Sequence, residues 1–230
     1  MKLKLDDIYK ICEKFNVNCI YDELSEHFSS SIMYNAKIKR FEVQYVRIPN
    51  IDKLGKLCEK LKLSYGDCLK LIEKNIEHEV KHEKYENEVL AKCNEYLYLF
   101  KTLPKISRAI FNLCEDVAIE KELEKYGAIW RKQCQHVEES VKTLHERIST
   151  ARKKLTPLEY FQYIVSIVSD VVTCYLEDNV KEILDRVNIP RSDKEFIRRA
   201  IDIATKLRDG EIGVCECIGS LLSKILTQRQ

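Results

Sequence analysis

Chain-breaking residues are scarce: the 230 residues include 6 glycines and 4 prolines. Tight turns and sheet corners draw on these two residue types. A loop-rich all-β fold is therefore disfavoured, and long helices are favoured. Apolar residues make up 45% and charged residues 33%, which places the chain among globular rather than disordered proteins. The net charge is +2, with lysine and arginine interleaved among acids. No segment reads as a dedicated nucleic-acid surface, so a nucleic-acid partner is not expected.

Helical spacing dominates once each segment is read in turn. Ile8, Ile11, Cys12 and Phe15 predict a first helix over 6–15. Cys19-Ile20-Tyr21 reads as a short strand. Ser31–Tyr34 and Arg40–Ile48 are β-rich runs around a polar turn at Asn35–Lys39, a hairpin pattern with one irregularity in its second run. A short helix follows over 51–61. Ser64 then stands as N-cap of a longer helix, in which Cys68, Leu69, Leu71, Ile72, Ile76 and Val80 recur at three- and four-residue steps and which is expected to reach about Phe100. Pro104 opens a helix that Gly127 ends. Another is predicted over about 129–154. Thr156-Pro157-Leu158-Glu159 is a capping box with proline at the first helical position, starting a helix expected to run to about Val187. Two last helices are expected, from Ser192 to about Asp209 and over about 212–227. The fold class is therefore α+β and predominantly helical, with a small β-hairpin or sheet followed by helices only. The expected domains are 1–127 and a helical 128–230.

The ten cysteines contain no Cys-x-x-Cys pair, the closest two being Cys215 and Cys217. Ribbon and finger zinc sites are thereby disfavoured. Two readings remain: buried small apolar side chains, the first choice, or structural disulfides of the kind hyperthermophile cytosols permit. The Lys/Glu/Ile-rich, Gln-poor composition agrees with a thermophilic source. The chain starts with charges too early for a signal peptide. Its most apolar stretch, Tyr163–Leu176, is too short for a membrane span and contains Asp170. A cytoplasmic protein without membrane attachment is expected.

The sequence His78-Glu79-Val80-Lys81-His82 is a His-Glu-x-x-His motif on the long predicted helix. Residues four apart share a helix face, so both imidazoles can reach one ion. Glu79, one residue along, can address a water on that ion instead, as general base. The plain alternative is a solvated, charged helix face, since Glu77–Lys84 is rich in charge. A catalytic site also needs a third ligand. Asn112, Asp116 and Glu120 share one face of the helix after Pro104, with Glu115 adjacent. His136 and His145, on the charged helix after Gly127, are weaker candidates, and His27 reads as a surface residue. Tyr85 and Tyr126 could face an oxyanion by position, although ordinary packing explains both.

This order, a His-Glu-x-x-His helix and then Asn-x-x-Glu-Asp on a later helix, resembles the gluzincin metallopeptidases. The run Asn112-x-x-Glu115-Asp116-x-x-x-Glu120 is similar to predicted metallopeptidases related to the cobalt-chelatase accessory and von Willebrand-associated families. The resemblance covers roughly residues 20–126. It implies a zincin-like core, a Zn2+ cofactor held by His78, His82 and Glu115, and Glu79 as catalytic base. It places Asp116 or Glu120 behind a ligand histidine, with Asn112 beside them. It further implies a peptide or protein substrate lying along an edge strand from Ser31–Tyr34 or Phe41–Tyr45. The thermolysin-like pattern puts an aspartate where Ile119 stands here. Asp116 and Glu120 do have that four-residue relation, so Asp116 as ligand with Glu120 behind it is the alternative. The metzincin pattern does not fit, because its glycine and third histidine positions are Tyr85 and Glu88. The helical C-terminal half is expected to bound the cleft or to offer a surface to a protein partner or a second copy. The rival expectation is a non-catalytic helical interaction protein with a zincin-like fold, holding structural zinc or none.

Overall fold

The computed structural model describes residues 1–93 and 103–227, with 224–227 described by backbone alone. The described residues form ten α-helices and one three-stranded sheet, a predominantly helical α+β chain. They group into two compact units, one of residues 1–91 and 123–133, the other of 92–122 and 134–230.

The first unit begins with α1 (Leu5–Lys14) and β1 (Cys19–Tyr21), joined by the Cys12–Cys19 disulfide. β2 (Ser29–Asn35) and β3 (Arg40–Ile48) form the hairpin that the alternation predicts. The strand order is β1-β3-β2, with β1 parallel and β2 antiparallel to β3, so β2 is an edge strand. β3 carries a bulge: Ser31 pairs with Tyr45 and Ile32 with Val43, leaving Gln44 as the extra residue, before and not after Tyr45 where the apolar pattern breaks. α2 (Ile51–Lys60) is capped by Asn50, whose side chain accepts from the backbone N–H groups of Asp52 and Lys53. α3 spans Tyr65–Lys92, with Ser64 Oγ accepting from the Asp67 N–H at 3.1 Å. That bond satisfies one of the donors a helix start leaves open. The expected continuation to Phe100 falls mostly on 94–100, outside the described residues.

One face of α3 makes the core of this unit. Cys68, Leu71, Ile72 and Ile76 pack with Ile8, Val46, Ile48, Leu54 and Ile129, and all of these are buried. Each such side chain contributes about 1.5–3 kcal/mol of burial. The Cys58–Cys68 disulfide ties α2 to α3.

The second unit carries α4 (Pro104–Leu123), most of α5 (Ala128–Val141), α6 (Leu144–Lys154), α7 (Pro157–Thr173), α8 (Glu177–Arg186), α9 (Arg191–Arg208) and α10 (Val214–Thr227). The capping box is present with both reciprocal bonds between Thr156 and Glu159. Two expected helices are each broken. The 129–154 helix parts at Lys142–Thr143 into α5 and α6, where Ser140's carbonyl accepts from Arg147 at 3.3 Å and Thr143 at 3.4 Å instead of continuing the ladder. The 157–187 helix stops at Thr173. Tyr175 adopts φ 58°, Thr173 Oγ1 bonds back to the Ser169 carbonyl at 2.8 Å, and buried Arg208 donates to the Val172 carbonyl at 2.8 Å. Neither break contains glycine or proline.

The cysteines are not free thiols. All ten pair, with Cys93–Cys215, Cys114–Cys217 and Cys134–Cys174 in the second unit. The second of the two cysteine readings therefore holds. Among the described residues, no helix is long and apolar enough to cross a membrane.

Candidate metal centre

The sequence motif sits mid-way along α3, where the helix lies against the hairpin. His78, Glu79 and His82 are all half-buried. The two imidazoles stack edge-to-face with ring centroids 5.0 Å apart, and a nitrogen of each lies within 4.8 Å of the other. Two nitrogens bound tetrahedrally to one zinc stand about 3.3 Å apart, from zinc–nitrogen distances of about 2.0–2.1 Å. Small side-chain rotations therefore bring this pair onto a shared ion.

Glu79 is held from the sheet. Ser30 Oγ, on edge strand β2, donates to Glu79 Oε2 at 2.9 Å. Neighbouring α3 side chains secure the same interface. Glu83 Oε2 accepts from the Val43 N–H at 3.0 Å, and Arg40 donates to Glu83 Oε1 at 2.8 Å. The Asn87 amide takes both main-chain groups of Phe41, accepting from its N–H at 2.8 Å and donating to its carbonyl at 2.9 Å. These bonds serve the part of β3 that β1, paired only with Val46–Ile48, does not reach. The amide stands in for a neighbouring strand. The flank of β3 is thus closed by α3, and among the described residues no strand pairs with the outer edge of β2.

On the other side of the motif, Glu77 is buried at 8% exposure and accepts from Tyr126 Oη at 2.8 Å and from Lys125. Burial pushes its carboxyl upward, but the bonds from Lys125 and Tyr126 outweigh that and hold it below its ordinary value. The Tyr126 hydroxyl is pushed up in turn by burial and by Glu77. Tyr126 is thus committed to Glu77, and Tyr85 is buried.

The expected acidic residues all lie on α4, in the second unit. Glu115 is fully buried, on the helix side that carries Phe111 and Ile119, also buried. Asp116 and Glu120 are half-buried and Asn112 is exposed. Asn112 and Asp116 line a cavity of about 530 Å³ together with Arg108, Gln162, Ser166 and Asp170. Burial together with the charges of Asp116 and Glu120 raises Asp170 to about 6, against the opposing pull of Arg147.

Two residues of this setting lie outside the sequence expectation. Ser30 is missed because the expected strand starts one residue later. Asp170 is visible only as a lone acid inside an apolar run. No family model matches the chain, and neither does a curated protein or a solved structure.

Proposed function

We propose that the chain is a zinc-dependent metallopeptidase in which His78, His82 and Asp116 hold the ion and Glu79 is the general base. The observation that carries this reading is the Ser30–Glu79 hydrogen bond of 2.9 Å. It ties the carboxylate of the motif to the sheet edge while both imidazoles occupy the same helix face. Asp116 is preferred over Glu115 because it opens onto a cavity whereas Glu115 is fully buried. Glu120, one turn on from Asp116, is assigned to orienting a ligand.

Zinc held by these side chains supplies Lewis-acid polarisation and a water of near-neutral pKa. With Oε2 held by Ser30, Glu79 takes the water proton on Oε1 and passes it to the leaving amine. The substrate is a peptide in extended form, pairing with the outer edge of β2 because side chains of α3 occupy the flank of β3.

Metal analysis and a peptide-cleavage assay test the proposal together. Chelator-stripped, zinc-reloaded protein is expected to hold about one zinc. His78→Ala, His82→Ala and Asp116→Asn lose it, Glu115→Gln keeps it, and Glu79→Gln keeps it while abolishing cleavage. Undiminished cleavage by Glu79→Gln overturns the mechanism. Zinc loss in Glu115→Gln but not in Asp116→Asn overturns the ligand choice. Wild-type protein that binds no zinc returns the rival, a helical interaction protein.

A further inference from the structure

A separate cavity of about 400 Å³ is built from α6, α7 and α9 in the second unit. Its walls are apolar. Phe161 and Phe196 meet with ring centroids 5.6 Å apart, and buried Ile164 stands beside them. Four polar residues interrupt these walls: Tyr160, Asp193, Arg152 and Ser192, whose hydroxyl donates to Asp193 Oδ1 at 3.4 Å.

Tyr160 is 7% exposed, and its hydroxyl is buried without a hydrogen-bond partner. It faces Asp193, whose buried Oδ2 makes no hydrogen bond and is held by the Arg152 ion pair alone. Burial and the Asp193 charge keep the phenol protonated, so it is a standing donor. Buried polar groups in folded proteins are matched as a rule, and exceptions concentrate where the group has a task. Arg152 covers this pair. Its guanidinium lies 5.1 Å from the Tyr160 ring centre and its Nε 3.4 Å from Asp193 Oδ2. Arg152 is 42% exposed, so this wall of the cavity borders solvent.

We propose that this cavity binds a neutral amide bearing an aromatic or branched aliphatic group. The Tyr160 hydroxyl donates to the amide carbonyl, and the amide N–H donates to Asp193 Oδ2. The apolar group lies against the Phe161–Phe196 pair. Neutrality follows from the charge balance. Arg152 and Asp193 already offset one another, so a charged ligand must break their pairing or enter a largely apolar space uncompensated. The amide follows from the two buried atoms that make no hydrogen bond, one a donor and one an acceptor, which an amide answers at once while the Arg152–Asp193 ion pair stays in place. The volume falls at the lower end of the range for small-molecule sites. The inference is independent of the metal centre.

N-acetyl-L-phenylalaninamide is the probe, titrated into the whole, disulfide-intact protein and followed by backbone amide NMR. Saturable shifts are expected at 158–164 and 192–197. Tyr160→Phe, which removes one oxygen and keeps the ring, is expected to bind roughly fivefold to tenfold more weakly. N-acetylglycinamide, which lacks the apolar group, and N-acetyl-L-phenylalanine, which carries a carboxylate, are expected not to saturate. The proposal fails if the probe does not saturate or shifts residues elsewhere. It also fails if Tyr160→Phe or N-acetylglycinamide matches the parent pair.

Discussion

Replacing Arg208 by methionine is expected to cost the second unit about 3 kcal/mol, the lower end of what breaking a buried ion pair costs. The guanidinium is 7% exposed and pairs with Glu177, itself 14% exposed. It also donates to the Val172 carbonyl at 2.8 Å and to Asp209 Oδ1 at 2.9 Å, and its centre lies 3.9 Å from the Tyr175 ring centre. Methionine keeps the apolar stem but leaves the Glu177 charge and the Val172 carbonyl unmatched. Losses of about 3–5 kcal/mol for a bereft buried charge and about 1–3 kcal/mol for an unmatched carbonyl do not add in full. Glu177 retains a 3.2 Å hydrogen bond from Thr205 Oγ1, which favours the lower figure. At about 2–4 °C per kcal/mol, the melting point falls by about 6–12 °C. Neutralising the abandoned acid should recover part of the loss, so Arg208→Met with Glu177→Gln is expected to lie about 1–2 kcal/mol above the sum of the singles. Urea unfolding with intact disulfides, followed by circular dichroism, measures all four corners of the cycle. A single-variant loss below about 1 kcal/mol, or strict additivity, refutes the claim that Arg208 builds the α7–α8 turn.

The Asp170 carboxyl, raised to about 6 from 3.8, favours the fold when protonated. Its contribution is present below its unfolded value and is lost as pH rises toward about 6, so Asp170→Asn in chelated protein should be stabilising at pH 7.5 and neutral at pH 4. Urea midpoints at the two pH values check this, and a variant effect that does not change with pH contradicts it. Removal of the Cys114–Cys217 link by paired serine substitutions should cost about 3–3.5 kcal/mol on loop entropy, because the intact Cys93–Cys215 link shortens the loop it closes to about 23 residues. The same change at Cys12–Cys19, which closes 7 residues, should cost about 2 kcal/mol. Urea unfolding ranks the two, and equal losses would show that loop length is not the governing quantity. Denatured, unreduced protein should react with no thiol reagent.

Much of the first unit was legible because its signals are local. Ser64 caps α3 through a bond to a residue three positions away, and the Thr156–Glu159 box works over the same distance. The apolar alternation of β3 signals an irregularity but puts it after Tyr45, whereas the extra residue is Gln44, because strand pairing and not the apolar pattern alone fixes where a bulge falls. The two histidines could be paired on paper because a helix of known pitch sets the distance between positions four apart.

The features that could not be read share the opposite property. The break after Thr173 has no glycine or proline; it is made by Arg208, which arrives from another helix. The hold on Glu79 comes from Ser30, forty-nine residues earlier, and the closure of β3 depends on Glu83 and Asn87 reaching its backbone. Ten cysteines at irregular spacing do not name their partners, because pairing is a matter of distance between Cα atoms, here 5.1–6.3 Å, and not of order. Sequence alone determined the helix starts that carry a local cap, the hairpin and the His-Glu-x-x-His face, because short-range hydrogen bonding and periodicity act within a few residues. Only tertiary structure decided which helices break, which cysteines join, and which carboxylate opens onto a cavity, because those depend on side chains that packing brings from distant parts of the chain.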